Sequence, residues 1–133
     1  MPDGENILNF MSGTRQVFHV ESNEILLPAA RWCDSFFSRL RGFMFRASLE
    51  PEEGLVLVEA RDNRMNTSIH MLFVRMALGV IWVNNDGRVV DIVEAQPWRL
   101  SYKPQAAARY VIEGHPAITR QVKVGDHIQF SEA

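Results

Sequence analysis

Four arginines, Arg31, Arg39, Arg41 and Arg46, are interleaved with Trp32, Phe36, Phe37, Phe43 and Phe45 in one short stretch of this chain. Guanidinium groups beside aromatic rings can hold an anion or a base by charge-assisted hydrogen bonds and stacking. Trp98-Arg99, Tyr102-Lys103 and Arg109-Tyr110 repeat the pairing downstream. His70 stands in an otherwise apolar run near Arg75, where a polar ring must find a partner or line a cavity. The candidate ligand-binding residues are therefore Arg41, Arg46, His70, Arg75, Trp98 and Arg99. A duller account carries more weight: the aromatics pack the core, His70 is held by structural hydrogen bonds, and the arginines cover a helix with solvated heads.

Other reactive groups are less promising. His19, His70, His115 and His127 form no HxH, HExxH or Cys/His pattern, so spacing offers no metal site, and no cofactor is expected. Cys33 precedes a helix start, where a thiol can become nucleophilic, but Trp32 and Phe36 make it an inert, buried group. Glu52-Glu53 follow Pro51 in a polar loop and read as solvated. Asp91 and Glu94 fall on opposite faces of one strand and cannot act as a simple pair, although either could serve with His70. No GxSxG, GxGxxG or phosphate-loop pattern occurs, and no catalytic residue is assigned.

The elements that must position these groups are organised around Leu78 to Glu94. Val80, Ile81, Val83, Val89, Val90, Ile92 and Val93 are β-branched, and Asn84-Asn85-Asp86-Gly87 is a hairpin turn signal. Of two registers, a three-residue loop with Gly87 left-handed is preferred to a two-residue Asp86-Gly87 loop. It sets Trp82 opposite Val90 and puts Leu78, Val80, Trp82, Val90 and Ile92 on one face. Apolar groups on both faces predict a hairpin covered on two sides.

Met1 to Thr14 reads as a loose arm, and residues 15–133 as one β-rich domain. Arg15 to Glu21 and Glu24 to Leu27 are a strand pair, and Pro28 marks an edge or a strand end. Asp34 to Arg41 reads as a short helix, capped by Asp34 and ended by Gly42. Gly54 to Glu59, Arg109 to Glu113 and His127 to Phe130 are further strands. Pro116 opens a single helical turn, and Gln96 to Ala107 is a long irregular connection. Seven or eight strands with one clear helix predict a mainly β fold, a compact antiparallel β-sandwich or barrel.

Several pieces, taken in order, resemble the uncharacterised bacterial and archaeal family DUF192. They are Arg41-Gly42-Phe43-Met44-Phe45-Arg46, the acidic loop into Gly54-Leu55-Val56-Leu57, Ile69-His70 and Asp86-Gly87-Arg88-Val89-Val90. Pro97-Trp98, Ala108 to Glu113 and Val124-Gly125-Asp126 continue the series. The similarity covers about Ala29 to Phe130. It implies a compact, mostly β domain and no activity. The family tends to place Pro and Asp where this chain has Ala77 and Gly79, so the resemblance carries over no role that needs a carboxylate there.

The chain has 133 residues, 47% hydrophobic and 23% charged, with net charge −2. That is globular, large enough for a core, and gives no global pull toward nucleic acid or an anionic membrane. A single cysteine excludes an internal disulfide. No apolar run approaches the roughly 18 residues of a membrane helix, and no secretory leader pattern is present. A cytoplasmic monomer or weak homodimer is expected, without a membrane partner. The reading is a small non-catalytic β domain that binds an anionic small molecule or a carbohydrate in a cleft between the helix, its Arg41–Arg46 exit and the Gln96 to Ala107 connection. A single-stranded nucleic-acid-binding barrel and an enzyme using His70 with Asp91 or Glu94 are the alternatives.

Overall fold

The computed structural model describes residues 13–35, 38–39, 42–71, 73–99 and 101–132. The loose arm expected over Met1 to Thr14 lies almost wholly outside them. Seven strands form one sheet: β1 (Thr14–His19), β2 (Glu24–Cys33), β3 (Gly54–Asn63), β4 (Leu78–Val83), β5 (Val89–Ala95), β6 (Ala108–Gly114) and β7 (Ile128–Glu132). Their order is β5-β4-β6-β3-β2-β1-β7, curled into a half-barrel. All neighbours are antiparallel except β2 and β3. The mainly β expectation is borne out. No helix among the described residues is long and apolar enough to cross a membrane.

Both faces of the sheet are apolar and both are covered. On one, Leu27, Val56, Ile81 and Ile112 pack under Ile118 of a 3₁₀ helix, Pro116–Arg120, which Pro116 opens. On the other, Leu55, Val80, Trp82 and Val111 pack beneath Phe43, Ile69, Met71 and Val74, which come from irregular segments. Every residue of β4 is buried, as a hairpin strand covered on two sides requires.

The β4–β5 hairpin closes through a three-residue loop. Asn84 accepts from the Gly87 amide at 2.9 Å and donates to the Arg88 carbonyl at 2.9 Å, with Gly87 left-handed at φ +82. The expected pairing of Trp82 with Val90 is nevertheless overturned. A bulge between Trp82 and Val83 skips Val90, so Trp82 pairs with Asp91 and Ile81 with Ile92. Val90 and Val93 consequently share the Trp82 face, and Ile92 goes to the other.

Pro28 does not end its strand. β2 runs on to Cys33, because the β1 ladder is irregular there: Val17 pairs with Leu27 and Arg15 with Ala30. A residue without an amide proton is tolerated at such an irregularity.

Of the expected helix, Phe36, Phe37, Leu40 and Arg41 lie outside the described residues. The bonds Arg39 N–Ser35 O and Gly42 N–Ser38 O, at 3.0 and 3.2 Å, show one helical turn. Its cap is Ser35, not Asp34, since the Ser35 hydroxyl accepts from the Ser38 amide at 3.1 Å. Gly42, at φ +43, ends it as expected.

Gly79 is set by packing. A Cβ there would stand 2.8 Å from both the His115 carbonyl and Ile118 Cγ1. The 3₁₀ helix docks on this bare stretch of β4, and a carboxylate at 79 has no room. Gly79→Ala is expected to cost about 1–3 kcal/mol by overpacking. Urea denaturation measures this, and a midpoint equal to wild type refutes the tight approach.

Candidate functional site

Parallel pairing of β2 with β3 forces the intervening chain to cross over one face of the sheet. Gly42 turns that crossover, and Phe43, 2% exposed, plugs it into the core. Beside Phe43 lies a cavity of about 400 Å³. Leu57 and Val111, paired across β3 and β6, form part of its lining, with Met44 and Val74 from the covering segments. Its polar lining comes from Glu113, His70, the edge of Asn66, Thr67 and Ser68, and the Arg39–Glu59 pair.

Glu113 is the unusual member. On β6 it stands opposite Leu55 and Val80, both fully buried, and is itself 5% exposed. Its carboxyl has no hydrogen bond to any described residue. Burial pushes its pKa up to about 7, and the charge of Arg31 opposes this only in part. His70 Nδ1 is likewise buried without a partner among the described residues. Arg39, by contrast, is satisfied: Nε meets Glu59 at 2.9 Å, and a terminal nitrogen donates to the carbonyls of Asp34 and Val58. The Thr67 edge is pinned by Trp82, whose Nε1 donates to the Thr67 carbonyl at 2.7 Å.

A second concavity, about 350 Å³, lies across the Gly42–Met44 segment and is lined by Arg31, Arg46 and Glu53. The Arg31 and Arg46 guanidinium carbons stand 5.7 and 5.9 Å from the Phe43 ring centre. Arg46 is held by both Glu53 oxygens, at 2.8 and 2.9 Å. Glu53, expected as a solvated group, is drawn below its usual pKa by the Glu50 amide and by Arg46.

The structure therefore scatters the five sequence candidates that lie among the described residues. His70 lines the main cavity, and Arg46 lines its neighbour. Arg41 lies outside the described residues. Arg75 and Arg99 are exposed and line neither cavity, Arg99 standing 4.9 Å over Tyr102. Trp98 is exposed and joins Phe45 and Phe73 in an aromatic cluster, with successive ring centres 5.2 Å apart. Asp91 accepts from the Ile92 and Gln105 amides and Glu94 is exposed, so neither lines the His70 cavity. Cys33 is buried, which pushes its thiol pKa up, as an inert group should behave. Glu113 was missed, although its period-two phase with Val111 placed it on the buried side of β6.

One further cluster had no sequence signal. His19 Nε2 meets Asp126 Oδ2 at 2.7 Å, and His127 Nδ1 meets Glu21 Oε2 at 2.6 Å. Hydrogen bonds from His127 draw Glu21 down to about 2, and the His19 bond draws Asp126 down. The donor atoms of His19, Glu21 and Asp126 lie within 4.8 Å of one another, a set that could hold a metal ion. Each is already engaged in this network, which latches the Ser22-Asn23 turn to the turn before β7.

Fold and cavity together define a class: a small curled-sheet β domain with a buried acid in a largely apolar cavity. The chain belongs to the DUF192 family, whose family model, "Uncharacterized ACR", matches residues 18–130. A UPF0127 protein of Pyrococcus furiosus is 38% identical over 103 residues, covering 76% of this chain and 85% of its own. A UPF0127 protein of Thermococcus kodakarensis is 40% identical over 100 residues, covering 74% and 62%. Two solved structures share the fold, each at TM-score 0.75. A protein of unknown function from Novosphingobium aromaticivorans is 20% identical and covers 87% of this chain and 83% of its own. A putative transcription regulator from Sinorhizobium meliloti is 17% identical and covers 88% and 92%.

Proposed function

We propose that this protein is a non-catalytic domain that holds a small, neutral, polyhydroxylated or carbonyl-bearing molecule in the Glu113 cavity. The observation that carries the reading is that the buried side chain of Glu113 and the buried, unpartnered His70 Nδ1 share one cavity of ligand size. Buried polar groups without partners are costly and uncommon, and a ligand supplying the missing bonds relieves that cost. Near neutrality a carboxyl with a pKa of about 7 is partly protonated. It can then donate to a ligand oxygen as well as accept from a hydroxyl. Of the two ligand chemistries expected from sequence, this favours carbohydrate over anion: the acid repels negative charge, and Arg39 is neutralised by Glu59.

The test is amide NMR with neutral sugars and polyols, run beside sugar phosphates as the anionic arm. The expected result is saturable shifts at Glu113, His70 and Thr67 with a neutral compound. His70→Ala should weaken binding by about tenfold, the loss of roughly one hydrogen bond. Shifts confined to sugar phosphates, or shifts elsewhere on the sheet, overturn the reading.

A further inference from the structure

Phe45, Phe73 and Trp98 are 65%, 44% and 54% exposed, yet they pack against one another, Phe45 tilted on Phe73 and Phe73 edge-on to Trp98. All three have left-handed backbone, at φ +67, +60 and +65. Bulky side chains rarely adopt that conformation, and it persists only where the surroundings impose it. Here backbone bonds impose it: the Phe45 amide donates to the Phe73 carbonyl, and the Trp98 amide to the Met71 carbonyl, both at 2.8 Å. Three separate pieces of chain are thus fixed so that large apolar rings face solvent together. The pieces 43–46, 73–76 and 96–99 carry Arg46, Arg75 and Arg99 and contain no Asp or Glu, in a chain of net charge −2. Arg46 is paired with Glu53; Arg75 and Arg99 are exposed and have no carboxylate partner among the described residues.

We propose that this aromatic and arginine tip docks on an anionic membrane surface. The rings enter the headgroup region, where aromatic side chains are favoured, and Arg75 and Arg99 meet lipid phosphates. Complementary charge selects this occupant: the tip is cationic on an acidic protein, so the local field steers this end toward a negative surface. The sequence expectation of no membrane partner rested on the lack of a spanning helix and on a net charge that gives the whole chain no pull toward an anionic surface. Interfacial docking needs no spanning helix, and the charge that acts here is local to the tip. The proposal is independent of the cavity and its ligand.

The test is cosedimentation of the full chain with phosphatidylcholine vesicles, with and without phosphatidylglycerol. The expected result is binding to the anionic vesicles that added salt weakens. Trp98 is the exposed tryptophan, so its emission should shift to the blue and resist acrylamide on binding. Trp98→Ala and Phe45→Ala should each lower partitioning by about tenfold, and Arg75→Glu with Arg99→Glu should abolish the anionic preference. Circular dichroism melts confirm folding of these surface variants. No binding of wild type to anionic vesicles at low salt overturns the proposal, as does unchanged binding by the aromatic variants. Burial of Trp98 by self-association, or its protection by a soluble sugar with no vesicle binding, also overturns it.

Discussion

Raising the pH from 4.5 to 8 is expected to destabilise the wild-type protein by about 3 kcal/mol, and Glu113→Gln is expected to remove that loss. The Glu113 carboxyl has its ordinary value of 4.5 in the unfolded chain and about 7 in the fold. Between those values the unfolded state has released the proton and the folded state still holds it. The folded state then binds more protons, so stability falls as pH rises and levels off once the folded group has ionised. Each pH unit of that window costs about 1.4 kcal/mol. The contribution is thus fully present below pH 4.5 and is lost as pH rises through 7. Glutamine cannot ionise, so Glu113→Gln should unfold about 10 °C above wild type at pH 8 and close to it at pH 4.5. Thermal melts across that range decide the matter. Parallel pH profiles for the two proteins refute burial of an unpaired carboxyl. A buried acid that lowers stability near neutrality is a group kept for something other than the fold, which is why the cavity reads as a binding site.

The features legible in sequence were those written in local chemistry. β-branched runs around a glycine turn gave the central hairpin, and the polar ring of His70 within an apolar run led to the cavity. What failed was register and long-range closure. Val89 and Val90 are identical neighbours, so nothing in the sequence marks which of them the ladder leaves unpaired, and the bulge at Val90 has no local signature. Pro28 marks an edge or a strand end in sequence because proline breaks a ladder, but a ladder already irregular at that point accommodates it inside the sheet. The parallel β2–β3 pairing carries no local signature, yet it lays the Gly42–Arg46 crossover over the sheet face and makes the cavity. Phe45, Phe73 and Trp98 were scattered single aromatics until backbone bonds between distant loops brought them together. The His19–Asp126 contact exists only because β1 pairs with β7.

Trp82→Ala is expected to cost about 3–5 kcal/mol, the range for emptying a buried large-aromatic site. Trp82 is 1% exposed and among the largest fully buried side chains. Trp82→Phe separates its two roles. Phenylalanine keeps most of the ring but cannot donate to the Thr67 carbonyl, which Trp82 Nε1 now meets at 2.7 Å. Thr67 is itself buried, 2% exposed, so its carbonyl would be left without that donor. That loss should cost about 1–3 kcal/mol. It should appear as a lower urea midpoint with an unchanged slope. Because Thr67 lines the Glu113 cavity, the same substitution should broaden or shift the His70 and Thr67 resonances while leaving β1, β7 and their latch untouched. If Trp82→Phe matches wild type in both stability and spectrum, the indole bond does not hold the cavity wall. The wall would then depend on the packing of Ile69, Met71 and Val74 alone.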